Sequence, residues 1–126
     1  MSLSALDLVA EAKSQITEIE PAVAQTALAS AVVLDVREPA EFEAGRLPGA
    51  INIPRGVLEF RIGDHPRLAQ RDCDILVCCK TSGRAALAAL NLKRMGYTKV
   101  RSLHGGFDAW SQLGLPVEKE NTQFGD

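Results

Sequence analysis

The sequence predicts an α/β fold: an open, mostly parallel five-stranded sheet with helices on both faces, preceded by an extra N-terminal helix. Three observations lead there. A chain of 126 residues suits a single core that buries roughly two-thirds of the unfolded surface, so one domain is the default. Two short runs, AVVLDV from Ala31 and DILVCC from Asp74, are almost continuously apolar, as in strands covered on both faces. These runs and three weaker strand patterns alternate with helical patterns, and a parallel connection needs a helix to carry the chain back.

Leu6, Val9, Ala10, Ala12 and Ile16 recur at mostly helical spacing. Ser4 to Ile16 therefore reads as an amphipathic helix, with Ser4 as its cap and Asp7 as the capping-box partner. Ile16 to Ile19 alternates apolar and polar residues and gives a short strand. Glu20-Pro21 opens a second helix through Ala29, since proline suits the first helical turn. After the strand Ala31 to Val36, a short helix runs from Glu38-Pro39 to Gly45. Pro48-Gly49 and Pro54 bracket a strand over Ala50 to Ile53, and Gly56 to Ala69 holds a weaker helical pattern broken by Gly63, Asp64 and Pro66. Asp74 to Cys79 is the next buried strand, and beyond the turn KTSG a long helix from Arg84 to Met95 stops at Gly96. Val100 to Leu103 is the last strand, His104-Gly105-Gly106 a turn, and Phe107 to Leu113 a helix closed by Gly114 and Pro116. The expected organisation is a helical extension over 1–15, the α/β domain over 16–118 and a polar, frayed tail over 119–126.

Composition narrows the function. Hydrophobic residues at 46% and charged residues at 24% exclude a disordered chain. Fourteen basic against sixteen acidic residues, net −2, give no basis for neutralising phosphates, so no nucleic-acid partner is expected. No run approaches the roughly 20 apolar residues of a membrane span, and the N-terminus lacks the basic start and apolar stretch of a signal peptide, so the chain reads as cytoplasmic and free of the membrane. The three cysteines, Cys73, Cys78 and Cys79, lie in one seven-residue window and read as thiols rather than disulfide staples. His65 and His104 stand alone, so neither a metal nor any other cofactor is expected.

In open α/β sheets ligands sit beyond the carboxyl ends of the strands, which selects the loops after Val36, Ile53, Cys79 and Leu103. The loop after Cys79 carries the chemistry. Its short turn, Lys80-Thr81-Ser82-Gly83, points backbone N–H groups inward and aims the start of the next helix at the thiol. Lys80 and Arg84 add two cations within five residues of Cys79, so a well-populated thiolate near neutral pH is expected. Arg84 in the first helical turn opposes the helix dipole; some anion should compensate it. The bland reading of Cys79 is a small buried hydrophobe. Cys78 must face the other side of the sheet, and Cys73 lies between Asp72 and Asp74, whose charges raise a thiol pKa; both read as structural.

Three segments resemble the single-domain rhodaneses, the thiosulfate sulfurtransferases: LDVREPAEFEAGRLPGAINIP from Leu34 to Pro54, CKTSGR from Cys79 to Arg84, and HGGFDAW from His104 to Trp110. The resemblance covers about Ile19 to Val117 and implies a rhodanese-like fold over the α/β domain. It implies that Cys79 takes a sulfane sulfur as a persulfide and hands it to a thiophilic acceptor, and that Arg84 ties the loop together. Lys80, Thr81, Ser82 and Gly83 would hold the substrate, with Asp35, Arg37 and Trp110 in support. The implied partners are a small sulfur-containing anion or persulfide donor, and cyanide or a thiol, protein thiols included, as acceptor. Two positions depart from the family pattern: Arg46-Leu47 stand where His-Ile is frequent, and Cys78 takes a place commonly aromatic. The second leaves a redox role for Cys78 open.

Several of these positions carry a second reading. Asp35 and Arg37 also read as a local ion pair, Trp110 as core, Lys80 as a solvated turn residue, and His104 as structural or rim. A catalytically silent binding module is one alternative function. A cysteine phosphatase or arsenate reductase is another, because counting from Cys78 instead of Cys79 turns CX4R into CX5R. Which of the two cysteines is the nucleophile fixes the loop length and with it the chemistry.

Overall fold

The computed structural model describes residues 2–119; of the predicted polar tail, residues 120–126 lie outside the described residues. The first helix, α1, spans Ala5–Lys13. Ser4 Oγ accepts the Asp7 N–H at 3.1 Å and the Asp7 carboxylate accepts the Ser4 N–H at 2.8 Å, the reciprocal cap that the sequence predicts. Strand β1 is Thr17–Ile19, helix α2 Pro21–Ala27, strand β2 Val32–Asp35 and helix α3 Pro39–Ala44. Strand β3 is only Ile51–Asn52. The weak pattern that follows becomes a four-residue helix α4, Leu58–Arg61, between two 3-10 turns, because Gly63 and Pro66 deny it a longer run. Strand β4 is Asp74–Cys78, helix α5 Gly83–Arg94, strand β5 Lys99–Leu103 and helix α6 Gly106–Gln112.

The five strands form one sheet in the order β1-β5-β4-β2-β3. Where a mostly parallel sheet is expected, every pairing is parallel. Asp35 lies opposite Cys78 in the β2-β4 register, which brings the loops after those two strands together at one end.

Alternation along β4 sorts the core into two layers. Ile75, Val77 and Cys79 join Val32, Leu34 and Val36 under α4 and α5, through Leu58, Ala85, Ala88 and Leu92. Leu76 and Cys78 join Val33, Ala24, Leu103 and Trp110 on the other face. Fully burying each large apolar side chain is worth about 1.5–3 kcal/mol, so this sorting fixes which face each cysteine takes. A third cluster seats α1 on α5: Ala12, Ala86 and Leu90 are buried there, with Val9 and Leu87 packed beside them.

Candidate active site

Cys79 follows β4 directly and is 1% exposed. The Ala85 N–H donates to its Sγ at 3.3 Å, and the Thr81 and Arg84 amides also favour its charged form. The loop turns its amides inward because its carbonyls are engaged elsewhere. Cys79 O accepts the Phe107 N–H at 2.8 Å, and Lys80 O accepts the Asp108 N–H at 3.0 Å. The start of α6 therefore clamps the loop from behind. Gly106 makes that approach possible. With φ at +61°, a β-carbon there would lie 2.6 Å from the Cys79 and Lys80 carbonyl oxygens and closer still to that of Thr81, which only glycine avoids.

The two cations have partners that the sequence does not reveal. Arg84 donates to Glu41 Oε1 at 2.8 Å and Oε2 at 3.0 Å. This carboxylate, brought in by α3, is the anion that offsets a cation at the start of α5. The Arg84 hydrogen bonds and the Glu38 N–H outweigh partial burial and hold the Glu41 carboxyl down to about 2. The side-chain hydrogen bonds of Arg84 go to Glu41 rather than to the loop carbonyls. Lys80 Nζ lies 2.9 Å from Asp108 Oδ2 on α6. Neither pair makes Cys79 acidic. Burial pushes its thiol up by more than Ala85, Arg84 and Thr81 draw it down, which corrects the expectation of a well-populated thiolate. Replacing water around a sulfur by a few backbone amides, with Ala85 at 3.3 Å, leaves the anion under-solvated.

Asp35 and Arg37 are a buried pair below the loop, 0% and 4% exposed. Arg37 Nη2 donates to Asp35 Oδ2 at 2.8 Å and to Gly45 O at 2.6 Å. Its guanidinium also stacks over Phe107, 4.6 Å from the ring centroid. Asn52 Nδ2 donates to the Asp35 and Arg37 carbonyls, so β3 braces the same turn. Trp110 is fully buried in the layer that holds Cys78, and its indole N–H donates to Pro116 O at 2.7 Å. His104 Nδ1 stands 3.5 Å from Glu18 Oε1. Ser82 Oγ accepts from Lys13 Nζ at 2.7 Å, and Gly83 begins α5. A cleft of about 230 Å³ beside the loop is lined by Arg37, Glu41, Lys80, Phe107 and Asp108 among others. A larger one, about 410 Å³, lies by Asp74 and Lys99 at the starts of β4 and β5, and no cysteine lines it.

The sequence brings Cys79, Lys80, Arg84, Asp35 and Arg37 to this end of the sheet, and the structure gathers them there. It adds Glu41 from α3, Asn52 from β3, Phe107 and Asp108 from α6, and Lys13 from α1. Glu41, Asn52, Phe107 and Asp108 lie in the segments that carry the family resemblance, and the uncompensated Arg84 calls for an anion, but nothing in the sequence assigns these residues their partners. Among the described residues no three His, Cys, Asp or Glu side chains gather as a metal-holding group. Cys78 is fully buried on the opposite face; burial first, then the Asp35 charge, pushes its thiol far up. Burial, with Asp72 and Asp74 adding to it, also raises Cys73.

The model of the rhodanese-like domain matches residues 18–113. The chain belongs to the rhodanese-like domain family. A sulfurtransferase of Allochromatium vinosum is 33% identical over 86 residues, which are 68% of this chain and 77% of that protein. Thiosulfate sulfurtransferase 16, chloroplastic, of Arabidopsis thaliana is 37% identical over 94 residues, 68% of this chain and 78% of that one. Among solved structures, a protein of unknown function and possible tyrosine phosphatase from Rhodopseudomonas palustris superposes with a TM-score of 0.84 at 30% identity, covering 94% of this chain and 96% of that one. A rhodanese-related protein from Thermoplasma volcanium gives 0.73 at 30% identity, covering 81% and 97%. In this rhodanese-like domain, Arg46 stands at 4.7 Å over the Phe42 ring, Arg55 pairs with Glu59 at 3.0 Å, and Arg61 lines a separate cleft with Asp64 and His65.

Proposed function

We propose that this rhodanese-like protein is a sulfurtransferase whose Cys79 carries a sulfane sulfur between a donor and a thiophilic acceptor. The observation that carries the reading is the Cys79 Sγ seated at the mouth of α5, with the Ala85 amide on the sulfur and the Arg84 charge beside it. The names of the Allochromatium and Arabidopsis relatives support the same class of reaction.

With thiosulfate as donor, Cys79 gives up its proton to solvent and its thiolate attacks the outer sulfur. The bond between the two donor sulfurs breaks, and sulfite leaves with the electron pair. The terminal sulfur now on Cys79 is a stronger acid than the thiol it replaces, and the amides of the loop favour it as an anion. The acceptor then attacks that sulfur and Cys79 departs as thiolate: cyanide becomes thiocyanate, and a thiol becomes a persulfide. Burial that keeps the resting thiol protonated is overcome when the negative charge moves outward onto the added sulfur. Arg84, Lys80 and the loop residues Thr81, Ser82 and Gly83 hold the donor's charge, with Asp35, Arg37 and Trp110 supporting the turn. A protein persulfide, glutathione persulfide or a cysteine desulfurase serves the same chemistry as donor, and a protein thiol such as thioredoxin as acceptor. Three free thiols suit the cytoplasm, where they stay reduced.

The phosphatase reading attaches to the description of the Rhodopseudomonas structure and needs Cys78 as the nucleophile of a CX5R loop. The full burial of Cys78 on the far face disfavours it. Intact-mass analysis after incubation with thiosulfate tests the proposal: the wild type gains one sulfur atom and Cys79→Ser gains none. A gain that persists in Cys79→Ser, or no gain with any sulfane donor, refutes it. Turnover of p-nitrophenyl phosphate dependent on Cys78 would favour the phosphatase instead.

A further inference from the structure

Lys13 belongs to α1 and lies outside the residues that match the family, 18–113, yet its Nζ donates to Ser82 Oγ at 2.7 Å within the loop. Ser82 is the N-cap of α5, and its side chain makes no capping bond. A serine there ordinarily accepts from the second or third amide of its helix, which here are Arg84 and Ala85. Those amides face Cys79 instead, Ala85 at 3.3 Å from its Sγ. The hydroxyl and the sulfur are thus rival acceptors for the same donors. The hydroxyl instead accepts from Lys13 Nζ, while the Ala85 amide goes to the sulfur.

The placement of Lys13 is built. Ala12 is fully buried against α5, and a β-carbon on Gly83 would meet Val9 Cγ2 at 3.5 Å, so α1 lies across the start of α5. Glu18 Oε2, buried without a hydrogen-bond partner, lies 3.8 Å from Lys13 Nζ and pairs with it. His104 faces the other Glu18 oxygen.

We propose that Lys13 is a positioning residue for the sulfur site: by holding the Ser82 hydroxyl it keeps the first turn of α5 uncapped and its amides available to Cys79. This rests on Cys79 being the reactive thiol of the preceding section.

The experiment follows Cys79 alkylation by iodoacetamide against pH in the full chain, with the modified cysteine located by peptide mass. Four forms are compared: wild type, Lys13→Met, Ser82→Ala and the double variant. Methionine keeps the stem and the helix preference of lysine, and thermal melting checks that each form folds. Arg84 with Glu41, Lys80 with Asp108, the Asp35–Arg37 pair, and Glu18 with His104 are the other charged or titratable groups around the loop and Lys13, and all are unchanged in the four forms. Lys13→Met is expected to slow alkylation at neutral pH about threefold or more and to move the profile upward, since half a pKa unit is a threefold change in thiolate. In the Ser82→Ala background the same substitution is expected to change little, the non-additivity of two residues acting as one. Lys13→Arg, which keeps a donor, retains the wild-type profile. A Lys13→Met profile identical to wild type overturns the inference. So does equal slowing with and without the Ser82 hydroxyl, because Lys13 would then act as a remote charge. Alkylation reads the thiol directly, so failure of sulfur loading in the wild type strikes the proposed function, while failure of the coupling strikes this inference alone.

Discussion

Arg84 and Lys80 bring like charges to one loop, and their partners give them different work. The bidentate bonds of Arg84 to Glu41 use the planar fork that lysine lacks. Arg84→Lys is expected to lower turnover roughly tenfold or more, the equivalent of about 1.4 kcal/mol of lost charged hydrogen bonding. The pair is about one-third exposed, so the melting temperature should move by less than about 3 °C; steady-state rates and a thermal melt check both. Lys80 is 60% exposed and shared with Asp108. Lys80→Ala should raise the KM for thiosulfate about two- to fivefold with a smaller change in kcat, and the difference should shrink at high salt. Kinetics at two ionic strengths decide it; unchanged constants would make Lys80 a solvated turn residue. The sequence makes Cys79 and Arg84 legible because a strand end, a short turn and a helix start are all local. Glu41 and Asp108 are not legible, since they reach the loop from α3 and α6. The net rise of the Cys79 pKa is equally hidden, because burial is a property of the packed molecule.

At the scale of elements, the legible strands are those whose residues are apolar without interruption. Val32–Asp35 and Asp74–Cys78 fall inside the predicted runs because both of their faces are covered. Strand β3 shrinks to Ile51–Asn52; it is an edge strand, and Pro54 follows closely. The strand order is beyond what periodicity carries, since crossovers rather than local pattern set neighbours. The seating of α6 against the loop is also unreadable in the sequence, although Gly105-Gly106 announces a tight turn. Gly106→Ala tests that seating. Positive φ and the overlap with three carbonyls are together expected to destabilise the fold by on the order of 3 kcal/mol. Urea unfolding reads the loss of stability, and the Cys79 alkylation rate reads the disturbed loop. A variant as stable and as reactive as wild type would mean that the clamp contributes nothing.

For the whole molecule, acid is the condition that tests how α3 is tied to α5. Glu41 is held down to about 2 from an ordinary 4.5, chiefly by Arg84. A carboxyl lowered in the folded state stabilises above its unfolded value, and that contribution disappears as pH falls through the folded one. Stability should therefore decline between pH 4.5 and about 2, and Glu41→Gln should flatten that decline; urea midpoints along a pH series measure it. The separation of Cys78 from Cys79 by the plane of the sheet has a different consequence. Neighbouring strand residues project to opposite faces, and a disulfide needs β-carbons roughly 4 Å apart with matched directions. Cys73 precedes the other end of β4. A peroxide-generated sulfenic acid on Cys79 thus meets no resolving thiol in its own chain. It is rescued by a small external thiol, or it climbs to the irreversible sulfinic acid, so the persulfide proposed for Cys79 would also shield that cysteine from permanent inactivation.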